Sequence, residues 1–410
     1  MPSADKLVFV LGFFKMILQQ VNTVENWAGQ ISKLTGLSIS TQALQEKLQF
    51  RHIKFAEQLL GHILYKQVVD NDLSKHSSKL LEGFNRVFLE DSTCVNLPQG
   101  LLDFFPGTVN QKGATSQARI QLRVELKSGE FTHIELQSYR DNDQKFSSHI
   151  LHNIKPGDLV IRDLGYWALW VFGLIIKQEA FFLSRYFFGT HVYDANTGEQ
   201  IDLFKKLRSN RLQGNNVLDM EVLLGKKEQL PVRLVAIKAP QHVEQERKRK
   251  MRKDKKAKRS KDYWEMLGWT IYVTNVSDQV WKPMQILEVY GYRWRIEIIF
   301  KCWKSKFNFA HLFNKKSMSP PRAFITFYLL LVWLTLFFVK WHLFFLYHVY
   351  QIKGKILSLF KFADFVKQHF NKLYDWANPL EEIEHLARYC SQTKRKTKST
   401  MELLYMLNFT

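Results

Sequence analysis

The chain has 410 residues, 46% of them hydrophobic, which predicts a core domain accompanied by one or two smaller units. Its 59 lysines and arginines exceed its 38 aspartates and glutamates, and the formal charge of +21 favours a polyanionic partner, either nucleic acid or an anionic membrane surface. Three widely spaced cysteines without a CxxC pair argue against a disulfide framework or a structural zinc site and fit a reducing cytoplasm.

Helical patterns dominate the first 75 residues. The apolar stretch Leu7–Leu18 is interrupted by Gly12 and Lys15 and has no basic segment before it, so we expect an amphipathic helix rather than a secretion signal. Further along, apolar residues recur at helical spacing between Leu44 and Ile63. This part of the chain is therefore predicted to be a small helical domain.

Two short strands are each predicted to lead into an aspartate. Arg86–Glu90 is predicted to be a strand that ends at Asp91, and Leu159–Arg162 is predicted to be a strand that ends at Asp163. The apolar segment Tyr166–Ile176 then predicts a helix. The two carboxylates are thus expected at, or just beyond, the ends of strands.

A β-hairpin is predicted between these two strands. Residues 119–127 alternate apolar and polar side chains, Ser128-Gly129 supplies a turn, and Phe131–Leu136 supplies the returning strand.

Residues 187–264 differ in character and are interpreted as an inserted subdomain. Val217–Leu224 and Val232–Ile237 are strand-like, whereas eleven of the fifteen residues in Arg247–Lys261 are lysine or arginine. This basic arm could follow a DNA backbone. The alternative interpretation, a solvated and disordered charged loop, is compatible with the same role.

From Met284 to Lys304 the pattern predicts one helix. Tyr290, Arg293, Glu297 and Lys304 stand at offsets 0, 3, 7 and 14, which places them within an arc of roughly 60° on such a helix. Taken alone, a carboxylate flanked by cations is more typical of a solvated helix face with ion pairs.

Ala323–Val339 is an uncharged stretch of 17 residues, near the lower limit for crossing a bilayer. A buried helix that begins at Pro320-Pro321 and shields the sheet is favoured, because the chain shows no second span. The last part of the chain contains an amphipathic segment between Ile356 and Val366 and a basic tail at residues 394–398.

The segment Tyr290–Lys304 resembles the Y-x2-R-x3-E-x6-K signature of bacterial insertion-sequence transposases of the DDE class, and all four signature positions match. The family's first aspartate at a strand end is matched by Asp91. Its second, in an Asp-x-Gly-Tyr turn, is matched by Asp163-Leu-Gly-Tyr166. The resemblance covers about residues 80–340.

The resemblance implies an α/β fold of the RNase H-like type, with a mixed five-stranded sheet, flanking helices and a β-rich insertion before the last catalytic helix. The expected parts are a helical N-terminal DNA-binding domain at 1–75, catalytic segments at 76–186 and 265–345, the insertion with its basic arm at 187–264, and a helical C-terminal region with a basic tail at 346–410.

By the same resemblance, Asp91, Asp163 and Glu297 are the catalytic carboxylates. They would hold two Mg²⁺ or Mn²⁺ ions, with Asp91 as the bridging ligand, because these hard cations prefer oxygen ligands. Arg293 and Lys304 would neutralise phosphates and Tyr290 would donate a hydrogen bond to one, although Tyr290 could instead only pack.

Further DNA contacts are expected with less support from the pattern. Trp269 stands where some relatives stack a tryptophan on a flipped base, but a tryptophan in an apolar strand is equally expected in the core. The basic arm contributes six candidate DNA-binding residues, Arg247, Lys248, Arg249, Lys250, Arg252 and Lys253.

The implied activity is cut-and-paste transposition in the bacterial cytoplasm, with or without a hairpin at the cut end. Its partners would be double-stranded DNA, as element ends and target, and a second copy of the chain in a synaptic homodimer, with no membrane. Three alternatives remain open: a nuclease of the same fold that cuts without joining, an inactive DNA-binding remnant, and a membrane-associated basic protein.

Overall fold

The computed structural model describes residues 3–70, 79–111, 113–253, 260–313, 318–374 and 379–392. Its strands are β1 (Val87–Leu97), β2 (Pro106–Asn110), β3 (Gly113–Glu125), β4 (Phe131–Ser138), β5 (Leu159–Arg162), β6 (Phe181–Arg185), β7 (Val192–Asp194), β8 (Gln200–Ile201), β9 (Val217–Leu224), β10 (Leu230–Lys238) and β11 (Trp269–Thr274).

The helices before the candidate signature are α1 (Ser3–Leu18), α2 (Val24–Thr35), α3 (Thr41–Gln45), α4 (Ile53–Asp70), α5 (Asp143–Phe146), α6 (Leu169–Lys177), α7 (Leu203–Leu212), α8 (Gln241–Lys253) and α9 (Lys261–Met266). The remaining helices are α10 (Pro283–Gly291), α11 (Trp294–Lys306), α12 (Pro320–Thr335), α13 (Leu343–Lys353), α14 (Leu359–Tyr374) and α15 (Ile383–His385), with a π-helical segment at Leu336–His342.

The chain divides into two compact units. The first comprises Met1–Ser77, Asp91–Asp141 and Arg295–Thr410, and the second comprises Ser78–Glu90 and Asn142–Trp294. The division therefore falls inside β1, between Glu90 and Asp91, and one residue into α11.

The second unit is built on a mixed sheet. The start of β1 pairs with β5 and β5 with β6, both in parallel, whereas β6, β11, β10, β9 and β7 follow one another in antiparallel pairs. All four residues of β5 are buried, as expected for a strand covered on both faces. The core of this unit includes Phe172 and Phe182, whose rings stack 4.3 Å apart.

The strands of the predicted insertion continue this sheet. β10 pairs with β11 over Arg233–Lys238 and with β9 over Leu230–Ile237. The sheet is therefore larger than the five strands expected, because the ladder continues from β11 through β10, β9 and β7, and the strands of the predicted β-rich insertion form part of it. The strand assignments at residues 217–224 and 232–237 are confirmed.

The first unit combines an antiparallel hairpin with a helical bundle. The predicted hairpin is confirmed, since β3 pairs with β4 around a turn in which Gly129 has a φ of 76°. The helix at the N-terminus is also confirmed, but residues 9–11, 13, 14, 16 and 17 are buried, so α1 is apolar nearly all round rather than amphipathic. It packs with α2 and α12.

The long apolar helix of the first unit runs from Pro320 to Lys353, and 78% of its most apolar window is buried. By length and composition alone it could cross a membrane, but burial of this kind is typical of a core helix. Trp333 and Phe337 pack there against Phe307, which confirms the predicted buried helix beginning at Pro320. The predicted basic tail at 394–398 lies outside the described residues.

Candidate active site

Asp163 stands at the end of the buried strand β5, as predicted. A short 3₁₀ turn, Leu164–Tyr166, follows it, and the Tyr166 N–H donates to the backbone carbonyl of Asp163 at 3.1 Å. The carboxylate does not cap this turn, and the side chain is 40% exposed. It is therefore held at the surface of the second unit, with its carboxylate partly exposed to solvent.

Gly165 lies in close contact with a neighbouring side chain. A Cβ at Gly165 would lie 3.0 Å from the Oδ2 atom of Asp143, on the neighbouring helix α5. This contact gives a structural reason for the glycine in the Asp-x-Gly-Tyr motif.

A buried ion pair fixes β1 and β5 in register just before the two candidate aspartates. The side chains of Glu90 and Arg162 are 1% and 0% exposed, their Cα atoms are register partners, and Nη2 lies 2.6 Å from Oε2. Arg162 also donates to the carbonyl and the hydroxyl of Ser147, each at 2.7 Å. In the sequence, Asp91 and Asp163 each follow one member of this pair directly.

Tyr290 and Arg293 converge on Asp163 within the second unit. The Tyr290 hydroxyl donates to Asp163 Oδ1 at 3.3 Å, and Arg293 Nε lies 3.9 Å from the same oxygen. Arg293 also lies over the Tyr290 ring, 5.7 Å from its centroid. Three residues that were singled out from the sequence are therefore brought together here.

The environment keeps the Tyr290 phenol protonated. Burial raises the pKa of Tyr290, and the negative charge of Asp163 raises it further. The ring packs against Tyr272, with centroids 5.1 Å apart. Tyr290 can thus act as a hydrogen-bond donor at neutral pH, but it is not poised to act as a base.

Arg185 is a cation near this site that the sequence reasoning missed. It closes β6, whose Ser184 is the register partner of Arg162 on β5. Its positive charge lowers the pKa of both Tyr290 and Tyr272, although burial raises the pKa of Tyr272 to about 12. The carboxyl ends of the parallel strands β5 and β6 meet at one edge of the sheet. The reasoning that selected Asp163 at the end of β5 could therefore also have selected Arg185 at the end of β6.

Asp91 belongs to the first unit and does not end its strand. β1 continues to Leu97, with Thr93 and Val95 buried on one face, so the predicted strand end is wrong. The Ser92 N–H donates to Asp91 Oδ1 at 2.8 Å, and Arg119 Nη1 donates to the Ser92 hydroxyl at 2.8 Å. The half-buried carboxylate therefore has a structured polar surrounding.

The predicted continuous helix from 284 to 304 is also wrong. Tyr290 lies on α10 and Glu297 on α11, while Arg293 lies in the two-residue break between them. At the break, the N–H groups of Tyr292 and Arg293 donate to carbonyls only three residues back, and Gly291 weakens the helix at the same place. The arc of four residues on one helix face therefore does not exist.

Glu297 and Lys304 do share one face of α11. Glu297 is half-buried in the first turn, where the helix dipole favours a carboxylate, and Lys304 is exposed. Lys301, which the sequence reasoning did not single out, is exposed four residues after Glu297 and lies on the same face. Trp303 on the opposite side is fully buried and anchors the helix in the first unit.

Trp269 is a core residue in this structure. It is 2% exposed in β11, and its indole N–H donates to Glu265 Oε1 at 3.1 Å. Its indole N–H has a hydrogen-bond partner and its ring is enclosed, as expected for a tryptophan in the core. Stacking on a DNA base would require Trp269 to leave this position.

The basic arm is helical where it is described. Its first residues belong to α8, and residues 254–259 lie outside the described part of the chain. Arg247 donates to the Trp269 carbonyl at 3.0 Å and to the Thr270 hydroxyl at 3.1 Å, so it fastens α8 to β11.

The other basic residues of α8 differ in their surroundings. Lys248 and Lys250 form i,i+4 ion pairs with Glu244 and Glu246. Arg249, Arg252 and Lys253 are exposed, and Arg252 lies 6.0 Å from the ring of Trp264. Within the described part of the arm, these three residues are exposed and could meet an external phosphate.

In the described residues of either unit, no group of three or more histidine, cysteine, aspartate or glutamate side chains is arranged to hold a metal ion. The three candidate carboxylates are divided, with Asp163 in the second unit and Asp91 and Glu297 in the first. All three are half-buried oxygen donors, and Asp163 uses one oxygen for Tyr290. Their chemistry fits Mg²⁺ or Mn²⁺, which prefer carboxylate ligands.

Comparison with known proteins identifies similar sequences along most of the chain. The family described as Transposase DDE domain matches residues 82–332. The transposase for insertion sequence element IS231F of Bacillus thuringiensis subsp. israelensis is 28% identical over 383 residues, covering 87% of this chain and 77% of that protein.

Two other relatives are matched over less of their length. The transposase for IS231B of Bacillus thuringiensis subsp. berliner is 28% identical, covering 70% of this chain and 63% of that protein. The transposase for IS1151 of Clostridium perfringens is 26% identical, covering 68% and 62%. The piggyBac transposase synaptic complex with hairpin DNA overlaps at a TM-score of 0.39 and 10% identity, covering 77% of this chain and 59% of that one.

Proposed function

The chain belongs to the DDE-domain transposases of bacterial insertion sequences, and on that premise we propose that it cuts DNA at element ends and joins the freed 3′-hydroxyl to target DNA. The observation that carries this proposal is the convergence of Tyr290 and Arg293 on Asp163. A carboxylate at a strand end, held between a phenol donor and a guanidinium, suits a site that handles phosphodiester oxygens.

Asp91, Asp163 and Glu297 are the proposed metal ligands, within a core of the RNase H-like type. Two bound Mg²⁺ or Mn²⁺ ions would supply activation of the attacking oxygen and stabilisation of the leaving oxygen in an in-line displacement. In the first reaction water would attack phosphorus and break the bond to O3′, which yields a 3′-hydroxyl and a 5′-phosphate. In the second, that hydroxyl would attack a phosphorus atom of the target backbone and break its bond to O3′, which joins the element's 3′ end to the target's 5′-phosphate and releases a target 3′-hydroxyl.

The cations around Asp163 support the proposal through charge. Arg293 and Arg185 in the second unit would neutralise a phosphate brought against Asp163, whose own charge would otherwise repel it. Lys304 and Lys301, on the face of α11 that carries Glu297, would do the same in the first unit. The buried Glu90–Arg162 pair would fix the strand from which Asp163 projects.

The proposal is tested by cleavage of DNA that carries the inverted repeats flanking the gene. In Mg²⁺, the wild-type protein should cut at the repeats, and Asp91→Asn, Asp163→Asn and Glu297→Gln should each lower the rate at least 100-fold, since each removes a charged ligand. Asp103→Asn removes an exposed carboxylate of the first unit and should cut normally.

The outcomes separate the proposed function from its alternatives. Unchanged cleavage by Asp163→Asn and Glu297→Gln would refute the proposed metal-dependent mechanism. Cleavage without any joined product would indicate a nuclease, and DNA binding without cleavage by the wild-type protein would indicate an inactive remnant.

A further inference from the structure

A cleft lined by lysine and glutamine side chains lies in the first unit, among helices α1, α2 and α14. Its volume is about 310 Å³. We call it the lysine cleft, and its lining residues are Lys15, Leu18, Gln19, Gln30, Lys33, Lys367, Gln368 and Phe370. It contains none of the residues assigned to the candidate active site or to the basic arm.

The lining of the lysine cleft is cationic. It has three lysines and three glutamines but no carboxylate. Gln30 is 5% exposed, and its amide N–H group donates to Gln19 Oε1 at 3.0 Å. Asn26 donates to the same oxygen at 3.4 Å, so the carbonyl of Gln19 is occupied while its amide N–H group remains a donor.

The positive charge of the cleft is only partly balanced within the described residues. Asp364, one turn before Lys367 on α14, forms an ion pair with Lys306. Lys15, Lys33 and Lys367 form no ion pair with any described residue. Burial lowers the pKa of Lys367, the charge of Asp364 raises it, and the charge of Lys306 lowers it, so an anion in the cleft would favour the charged form of Lys367.

We propose that the lysine cleft binds the phosphodiester backbone of double-stranded DNA. This inference rests on the proposed function, which supplies DNA as the polyanion. Lysine is a point-charge phosphate binder and the glutamine amides can donate to phosphate oxygens, whereas none of these groups is arranged to read base edges. A concave cleft between helices also suits a projecting backbone better than it suits a flat membrane surface.

The consequence is a second DNA-binding surface, formed jointly by N-terminal and C-terminal helices. Its contribution to affinity should be independent of DNA sequence and sensitive to salt, because each phosphate contact releases counterions. Lys15, Lys33 and Lys367 are isolated in the sequence, so only the fold reveals that they face one cleft.

The test compares two triple variants of the full chain that lose the same charge. The cleft variant is Lys15→Gln, Lys33→Gln and Lys367→Gln. The control variant, Lys47→Gln, Lys54→Gln and Lys66→Gln, changes lysines elsewhere in the first unit, near or on α4. Binding to a 40-base-pair duplex is measured between 50 and 200 mM salt.

The cleft variant should bind at least 10-fold more weakly than the control at 50 mM salt. Its slope of log affinity against log salt should be shallower by about 2–3, at roughly 0.9 for each lost phosphate contact. Equal affinities and slopes for the two variants would overturn the inference. Should the triple cleft variant fail to fold, Lys33→Gln alone, at an exposed position, must lower the slope by about 0.9.

Vesicle binding and the salt slope of Asp163→Asn separate DNA binding by the cleft from membrane binding and from the cleavage activity. If the cleft lysines are needed for binding to phosphatidylserine vesicles and not for binding to DNA, the inference is overturned in favour of a membrane surface. Asp163→Asn should lose cleavage but keep the wild-type salt slope. Absence of cleavage by the wild-type protein would refute the proposed function. A salt slope in the cleft variant equal to that of the control would refute only DNA binding by the lysine cleft.

Discussion

Replacing Glu90 by glutamine removes one charge of a pair that has no access to water. Arg162 is 0% exposed and Glu90 1%, so Glu90→Gln leaves a buried guanidinium without its counterion. Breaking a buried pair in this way costs about 3–5 kcal/mol. Because Arg162 keeps both hydrogen bonds to Ser147, we expect the lower end, about 3 kcal/mol of unfolding free energy.

The effect is measured by urea unfolding, with fluorescence and circular dichroism as separate probes. Glu246→Gln is the matched control, because Glu246 pairs with Lys250 on an exposed helix face and its loss should leave the unfolding midpoint unchanged. The double variant Glu90→Leu with Arg162→Met should recover part of the lost stability, since apolar groups of similar size can replace a buried pair, whereas the two acceptors of Ser147 lose their donor. A loss below 1 kcal/mol in Glu90→Gln would refute this reasoning.

Three further predictions concern single side chains. Tyr290→Phe removes the hydrogen bond to Asp163, so cleavage should slow about 10-fold at saturating DNA with affinity unchanged, and an unaltered rate would show that the contact is not used. Arg247→Gln should lower the melting temperature by about 3–6 °C and leave the salt slope of DNA binding unchanged. Arg249→Gln should instead reduce that slope by about 0.9. The opposite pattern would contradict the structural role of Arg247. Burial lowers the pKa of His342 to about 3, so only the unfolded chain takes up a proton between pH 6.5 and 3, and stability present above 6.5 is lost as pH falls. The wild type should therefore lose about 2 kcal/mol between pH 7 and 5, and an equal loss in His342→Phe would rule out this residue as the cause.

Some of the strands could be predicted from their hydrophobic pattern, a short apolar run for β5 and side-chain alternation for the β3–β4 hairpin. The residues of β5 and the β3–β4 hairpin follow their patterns closely, because each side of the ladder faces a defined environment. The end of β1 was placed too early, because the polar Asp91-Ser92 step reads as a strand end although Thr93 and Val95 continue the buried face.

The helix break before Glu297 had no clear signal in the sequence. The apolar spacing continues from α10 into α11, and the break occupies only two residues after Gly291. A single glycine is tolerated within helices, so hydrophobic periodicity alone does not show whether the helix continues through Gly291 or ends there. The contact of Tyr290 with Asp163 depends on tertiary packing across 127 residues of sequence.

Two arginines show why composition cannot assign roles. Arg247 stands in a run of identical charge, yet its hydrogen bonds to β11 make it structural. Arg185 closes the apolar strand β6, and the pairing of β6 with β5 places it near the candidate site. In both cases the deciding information is the neighbouring strand.

The metal preference of an Asp163→Cys variant tests the central claim most directly. A thiolate is a poor ligand for hard Mg²⁺ and a better one for the softer Mn²⁺, so cleavage at the inverted repeats should be lost in Mg²⁺ and partly restored in Mn²⁺. The wild-type protein and Asp103→Cys, at an exposed site in the first unit, should show no such difference. Cleavage by Asp163→Cys at the wild-type rate in Mg²⁺ would contradict the assignment of Asp163 as a metal ligand.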